Sequence, residues 1–121
     1  LCTNLIQDHQ KKIKTNYNIK DTDLPLKKVI SLGIIINELI TNSLKYAFDK
    51  VKDASISITL QPTNSHFYLE YLDNGNELPD NILHEEKSSL GIDLIQSITD
   101  QIDGTIKQTK SSKGNGFIIE F

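Results

Sequence analysis

The 121-residue sequence contains no arginine, no tryptophan and no methionine, and it has only one cysteine. Its 13 basic residues are all lysine and are outnumbered by 16 acidic residues, which gives a net charge of -3. A chain without a basic surface or a guanidinium group to read base edges is not expected to bind nucleic acid. Since methionine is missing even at position 1, we expect the chain to be a domain excised from a longer protein.

The other scarce features limit the compartment and the size of the fold. A single cysteine, Cys2, cannot form an intrachain disulfide, which favours a reducing compartment and predicts a cytoplasmic domain. No apolar run approaches the roughly 18 residues that span a bilayer, so we expect no membrane contact by this domain. The length fits one domain covering residues 1–121, which is long enough to bury a core.

Hydrophobic periodicity predicts the order helix, strand, helix, strand, strand, helix, strand, strand. The opening segment carries Leu1, Leu5 and Ile6 at near-helical spacing and then alternates towards Ile19, so a short helix should lead into a strand. Helices separated mostly by antiparallel hairpins predict an α+β fold. We expect a two-layer sandwich, in which a mixed, mostly antiparallel sheet of about five strands is covered on one face by about three helices.

The longest predicted helix, from about position 26 to 48, carries a polar stripe opposite an apolar face. Val29, Leu32, Ile36, Leu39 and Ile40 form the face expected to pack on the sheet. The stripe is typical of a solvated helix surface, but it also holds Glu38 and Asn42 one turn apart, with Lys45 nearby. Mg²⁺ takes only one or two protein oxygens alongside phosphate oxygens, so these residues could form a minimal site for magnesium and phosphate. The five polar residues of the stripe are Asn37, Glu38, Thr41, Asn42 and Lys45.

Two short glycine-containing motifs follow. Asp73-Asn74-Gly75 comes directly after a predicted strand; it is typical of a turn, but it also presents a carboxylate at a strand end. Ser89-Leu90-Gly91-Ile92 opens the third helix, which Ser88 and Ser89 should cap and Gly104 should end. Unpaired amides at such a helix start attract anions. The polar segment 74–87 between the motifs is long enough to form a lid.

The order of these motifs resembles the catalytic domain of sensor histidine kinases, in the subgroup whose dimerisation domain is of the HisKA_2 type. The run Asn37-Glu38-Leu39-Ile40-Thr41-Asn42-Ser43-Leu44-Lys45-Tyr46-Ala47-Phe48 is similar to the N box of that family. Asp73-Asn74-Gly75 resembles its G1 box and Ser89-Leu90-Gly91-Ile92 its G2 box. The resemblance covers nearly the whole chain and implies the Bergerat ATP-binding fold, which DNA gyrase and the Hsp90 chaperones share.

The resemblance also implies ligands and residue roles. The cofactors would be ATP and Mg²⁺, with Asn42 as the metal ligand. The catalytic residues would be Glu38, which orients or activates the attacking group, and Lys45, which approaches the phosphates. The base would contact Tyr46, Asp73, Gly75 and Asn115, and the phosphates would lie at Ser89, Leu90 and Gly91. Leu78 would belong to a short ATP lid and would complete the nucleotide-binding set.

The activity implied by the resemblance is transfer of the ATP γ-phosphoryl group to a histidine on a separate dimerisation domain of the same protein. The partners would be that domain and a downstream response regulator, in a homodimeric full-length protein. Because no histidine here lies in such an acceptor box, we expect the isolated domain to be inactive. One alternative is a serine kinase of the anti-sigma factor type, which has the same fold. Another is a degenerate interaction module that no longer binds nucleotide.

Overall fold

The computed structural model describes residues 13–20, 23–48, 50–76, 91–111 and 114–121. In this part of the chain, five strands form one sheet, two α-helices pack against it, and a short π-helix extends the first of them. The elements are β1 (Lys14–Ile19), α1 (Leu26–Asn42), the π-helix (Ser43–Ala47), β2 (Ser55–Pro62), β3 (Phe67–Asp73), α2 (Ile92–Gln101), β4 (Thr105–Ser111) and β5 (Gly114–Glu120).

The sheet has the strand order β1-β2-β3-β5-β4. β1 pairs in parallel with β2, whereas the other three pairs are antiparallel, so the predicted mixed sheet is confirmed. β2 and β3 form the predicted hairpin, which Thr63 closes by donating its amide to the carbonyl of His66 at 2.8 Å. Because β3 lies in the centre between β2 and β5, the end of β3 is enclosed on both sides.

The core lies between one face of the sheet and the two helices. Alternation along β2 and β3 produces this face, because neighbouring side chains on a strand point to opposite sides. In β2, the residues between the buried apolar ones are polar and face away from the core. The buried residues include Ile56, Ile58, Leu60, Leu69, Tyr71, Phe117 and Ile119 from the strands, and Leu32, Ile35, Leu39, Ile92, Ile95 and Ile98 from the helices.

The predicted apolar face of α1 is correct in outline and wrong in detail. Leu32, Leu39 and Ile40 are buried as expected, but Val29 is 48% exposed and Ile35 is fully buried. The helix is therefore rotated about its axis, so that the buried face differs from the face that the sequence predicts. The helices among the described residues fall short of the length and apolar character that a bilayer span needs.

Both ends of α2 differ from the sequence expectation. The helix begins at Ile92, with Gly91 as the preceding residue, and not at the serines of positions 88 and 89, which lie outside the described residues. At its other end the left-handed residue is Asp103, with φ 56°, and not Gly104. The amide of Gly104 donates to the carbonyl of Thr99 at 2.9 Å, which closes the helix end.

An apolar groove runs beside the edge strand, between β1 and α1. We call it the edge groove. The edge groove has a volume of about 560 Å³ and is lined by Ile19, Lys20, Leu24, Val29, Leu32, Gly33, Ile36, Ile58, Leu60 and Leu69. The helix expected to precede β1, with Leu1, Leu5 and Ile6, lies outside the described residues.

Candidate functional site

The carboxylate of Asp73 is the centre of the site. Asp73 is the last residue of β3 and is only 6% exposed. Its Oδ1 accepts hydrogen bonds from the amide of Gly75 at 2.9 Å and from Nδ2 of Asn115 at 3.0 Å. Its Oδ2 accepts a hydrogen bond from the hydroxyl of Ser43 at 2.7 Å. A buried carboxylate is costly unless it is hydrogen-bonded, and these three donors offset that cost.

Asn115 is brought to Asp73 by strand pairing. The two residues are register partners in the antiparallel β3–β5 pair, and both side chains are buried. Nδ2 of Asn115 also donates to the carbonyl of Asn76 at 2.8 Å. A single amide group therefore joins the strand end to the segment that follows it. The sequence predicted both Asn115 and Asp73 as base contacts, and the structure brings them together.

Gly75 allows the turn after β3 to pack closely on the π-helix. A Cβ at this position would lie 2.6 Å from both the Cβ and the carbonyl oxygen of Ala47, which is closer than real Cβ atoms approach. The next amide, of Asn76, donates to the same carbonyl at 2.6 Å. Because Gly75 has no side chain, the turn can pack directly against Ala47, near the end of the N-box segment.

Asn74 has a separate, structural role in this turn. Its Oδ1 accepts from the amide of Ser55 at 2.7 Å, and its Nδ2 donates to the carbonyl of Asp53 at 2.9 Å. One contact is with the first residue of β2 and the other with a residue of the segment before it. Asn74 therefore anchors the start of the neighbouring strand, while the residues on either side of it form the site.

The π-helix at the end of α1 determines which N-box residues meet β3. The amide of Phe48 donates to the carbonyl five residues earlier, on Ser43, which is the wide spacing of a π-turn. Within this turn Ser43 and Ala47 are buried, whereas Lys45 is exposed and Tyr46 is 41% exposed. The sequence predicted an unbroken helix to position 48, because no residue pattern marks such a widened turn.

The polar stripe of α1 is less solvated than its pattern suggested. Asn42 is 5% exposed, and Glu38, one turn before it, is half-buried. The hydroxyl of Thr41 donates to the carbonyl of Asn37 at 2.8 Å, so it is satisfied within its own helix. Of the five residues of the stripe, Asn42 is the one that is buried, whereas Asn37, Glu38 and Thr41 are intermediate in exposure and Lys45 is exposed.

Glu38 lies directly against the start of α2. Gly91 has φ 69°, which is left-handed backbone, and a Cβ built there would overlap the carboxylate oxygen Oε2 of Glu38. The carbonyl of Gly91 accepts from the amide of Ile95 at 3.0 Å in the first turn of the helix. The acid of α1 is thus next to the unpaired amides and positive dipole end of α2.

The predicted site residues that the structure describes form two groups. One group contains Asp73, Gly75 and Asn115, and the other contains Glu38 and Gly91. Asn42 lies between them along the chain, one turn after Glu38 and directly before Ser43, which bonds Asp73. Lys45 and Tyr46 lie on the exposed side of the π-helix. Leu78, Ser89 and Leu90 lie outside the described residues.

Two residues of the site, Ser43 and Tyr71, were not predicted from the sequence. The oxygen of the Ser43 hydroxyl lies 2.6 Å from that of Tyr71, and the Tyr71 hydroxyl is also 3.2 Å from the carbonyl of Leu39. The alternation of β3 assigned Tyr71 to the core, which is correct for its ring. A buried tyrosine hydroxyl normally requires a partner, and that requirement was the available signal.

Oxygen ligands for a metal are few in this site. Among the described residues, no group of three or more His, Cys, Asp or Glu side chains could hold a metal ion. The amide oxygen of buried Asn42, with the carboxylate of Glu38 one turn away, suits a cation that takes most of its ligands from water and phosphate. The donor set thus fits magnesium brought by a nucleotide and does not fit a resident structural metal.

Comparison with known proteins gives a family match and several structural matches. A family model described as histidine kinase-, DNA gyrase B- and HSP90-like ATPase matches residues 27–121. The histidine kinase domain of the Erythrobacter litoralis EL346 blue-light activated histidine kinase has a TM-score of 0.85 and 16% identity, covering 99% of this chain and 56% of that one. The catalytic domain of histidine kinase ThkA has a TM-score of 0.76 and 16% identity, with 98% and 82% covered.

A third structure, of the Acinetobacter baumannii histidine kinase AdeS, has a TM-score of 0.77 and 17% identity, covering 99% of this chain and 60% of that one. The chain thus spans little more than half of the Erythrobacter kinase domain and of AdeS. Among proteins of curated function, none matches the sequence. At these identities the structural likeness establishes the fold alone, while the family match extends over most of the chain.

Proposed function

The chain belongs to the family of histidine kinase-, DNA gyrase B- and HSP90-like ATPases, and from this premise we propose that it is the ATP-binding catalytic domain of a two-component sensor histidine kinase. In this proposal it transfers the γ-phosphoryl group of ATP to a histidine on a separate dimerisation domain of the same protein. The observation that carries the proposal is the buried carboxylate of Asp73, which three donors hold in place beside the N-box helix.

The base would be recognised at Asp73. A carboxylate has about four acceptor positions, and the three donors occupy three of them. The fourth can accept a hydrogen from an exocyclic amino group, which adenine carries. Gly75 keeps the backbone close to the base, and Asn115 holds the carboxylate from the opposite strand. Tyr46, partly exposed on the π-helix, would lie against the adenine ring.

The phosphates would extend from Asp73 towards the start of α2. Asn42 would hold Mg²⁺, and Lys45 would approach the phosphates from the exposed side of the π-helix. The amides near Gly91, together with Ser89 and Leu90, would receive phosphate oxygens, and Leu78 would belong to the lid over them. Mg²⁺, when bound, would neutralise negative charge on the phosphates.

The chain would contribute to the reaction mainly by positioning the reacting groups. Phosphoryl transfer needs little covalent participation by the protein and depends on alignment and electrostatic stabilisation. Glu38 would orient or activate the attacking histidine, since its carboxylate lies at the boundary between α1 and the start of α2. The acceptor histidine, a response regulator and a homodimeric, cytoplasmic arrangement of the kinase core belong to the full-length protein in this proposal.

Thermal denaturation with nucleotide tests the binding step. A ligand at a hundred times its dissociation constant adds about 2.7 kcal/mol, which for a domain of this size raises the melting temperature by roughly 10 °C. We expect this increase with Mg²⁺ and ATP together, and a smaller one with ATP and a chelator. An unchanged melting temperature at millimolar nucleotide would contradict the proposal and favour the degenerate interaction module.

The chemical stability of the phosphorylated product tests the transfer step. In the full-length protein incubated with γ-labelled ATP, we expect label that is lost in acid and retained in alkali, as a phosphoramidate of histidine requires. Label that survives acid would instead identify a serine ester and favour the serine kinase alternative. A Glu38→Gln variant should retain ATP binding while the rate of labelling falls.

A further inference from the structure

Two hydroxyl groups lie behind the carboxylate of Asp73, on the side of the core. Ser43 is the first residue of the π-helix, and Tyr71 is two residues before Asp73 on β3, so it points to the same face. Both side chains are buried, with exposures of 2% for Ser43 and 1% for Tyr71. Their oxygens are 2.6 Å apart, and that of Ser43 is 2.7 Å from Oδ2 of Asp73.

The directions of these hydrogen bonds follow from counting protons. An ionised carboxylate can only accept, so the single hydroxyl proton of Ser43 goes to Asp73. The contact of 2.6 Å between the hydroxyls must then use the proton of Tyr71, with Ser43 as acceptor. The Leu39 carbonyl, at 3.2 Å, can share the Tyr71 proton only weakly. The result is a chain that runs from Tyr71 to Ser43 to Asp73, in which each bond polarises the next.

This chain fixes which acceptor position of Asp73 stays available. The amide of Gly75 and Nδ2 of Asn115 saturate Oδ1, and Ser43 occupies one position on Oδ2. One acceptor position on Oδ2 is left. Without the Ser43 proton, Oδ2 would have two, and the carboxylate could accept from a wider range of directions.

We propose that Ser43 and Tyr71 are positioning residues for purine selectivity, which hold Asp73 so that its one available acceptor meets an amino group and excludes a carbonyl at the same place on the base. The inference rests on the proposed function and adds two residues and a selectivity to it. A 6-amino purine donates to this acceptor. A 6-oxo purine brings its own carbonyl oxygen to the carboxylate, and two acceptors facing each other in a buried site are left without a proton.

Calorimetric titration with ATP and with inosine triphosphate, its 6-oxo counterpart, tests the inference on the whole chain. Removal of one hydrogen bond usually costs a factor of about three to ten in affinity. We expect Ser43→Ala to weaken ATP binding by that factor and to leave inosine triphosphate within about two-fold, so the ratio of the two affinities falls. Tyr71→Phe, which keeps the ring, should change the ratio in the same direction and by less.

Matched controls separate selectivity from packing. Ser31→Ala removes a buried serine hydroxyl from α1. Tyr68→Phe removes a tyrosine hydroxyl from the opposite face of β3, where this hydroxyl contacts Glu70. Neither should alter the ratio of affinities. In an Asp73→Asn background, Ser43→Ala should cause no further loss of ATP affinity, because its effect passes through the carboxylate. If Ser43→Ala does not fold, Tyr71→Phe alone decides the outcome.

Three results would overturn the inference in distinguishable ways. If Ser43→Ala and Tyr71→Phe weaken both nucleotides equally, the hydroxyls contribute only to packing. If both variants keep the wild-type affinity for each nucleotide, Asp73 is oriented without them, although the proposed function stands. If the wild-type chain binds neither nucleotide, the proposed function itself fails and the inference fails with it.

Discussion

Replacement of Asp73 should separate the stability of the fold from its affinity for ATP. Asp73→Ala removes the acceptor for the amide of Gly75, for Nδ2 of Asn115 and for the Ser43 hydroxyl. A buried donor left without an acceptor costs about 1–3 kcal/mol. Two of the three donors are almost fully buried, while the amide of Gly75 is partly exposed and can be rehydrated. We therefore expect the free energy of unfolding to fall by roughly 2–5 kcal/mol.

Asp73→Asn should be much milder for stability. Its carbonyl oxygen can still accept from Gly75 and Asn115, and its amino group can donate to Ser43, which then turns its own proton away. All three contacts persist with one reversed, so we expect a loss of about 1 kcal/mol or less. The one available acceptor at Oδ2, however, becomes a donor. ATP affinity should then fall at least ten-fold, by about 1.5–3 kcal/mol, in both variants.

Urea unfolding followed by calorimetric titration with Mg²⁺ and ATP measures both quantities on the same samples. Asp100→Asn, an exposed acid on α2, serves as the matched control and should change neither. The decisive variant is Asp73→Asn, since its fold should be nearly intact. Wild-type ATP affinity in that folded variant would refute the assignment of Asp73 to base recognition.

A further prediction concerns the turn after β3. Gly75→Ala should lower the free energy of unfolding by about 1–3 kcal/mol in urea denaturation, because the new Cβ meets the Ala47 backbone at 2.6 Å; unchanged stability would contradict the close approach.

Much of the fold could be predicted because its signals are local. The alternation in β2 and β3, and the apolar spacing in α1, follow directly from the geometry of strands and helices. The parallel pairing of β1 with β2 brings together residues about 40 positions apart, such as Tyr17 and Ile58. No local pattern determines such a partner, and the register that opposes Asn115 to Asp73 is equally non-local.

The sequence predicted residues that meet in the candidate site, but not the two residues that support them. Asp73, Gly75 and Asn115 were expected from a family motif, and their side chains or backbones meet in the structure. Ser43 was not predicted as a site residue, because it is one small residue within a helix and its orientation depends on the π-turn. Tyr71 was assigned to the core from its spacing, which describes the ring and says nothing about the hydroxyl.

A structure of the chain with Mg²⁺ and a non-hydrolysable ATP analogue tests most directly whether the two groups of site residues serve one ligand. We expect the adenine amino nitrogen within hydrogen-bond distance of Oδ2 of Asp73, the metal at the side-chain oxygen of Asn42, and the phosphates at the start of α2 near Gly91. A nucleotide bound elsewhere, or one whose base does not reach Asp73, would contradict the proposed site.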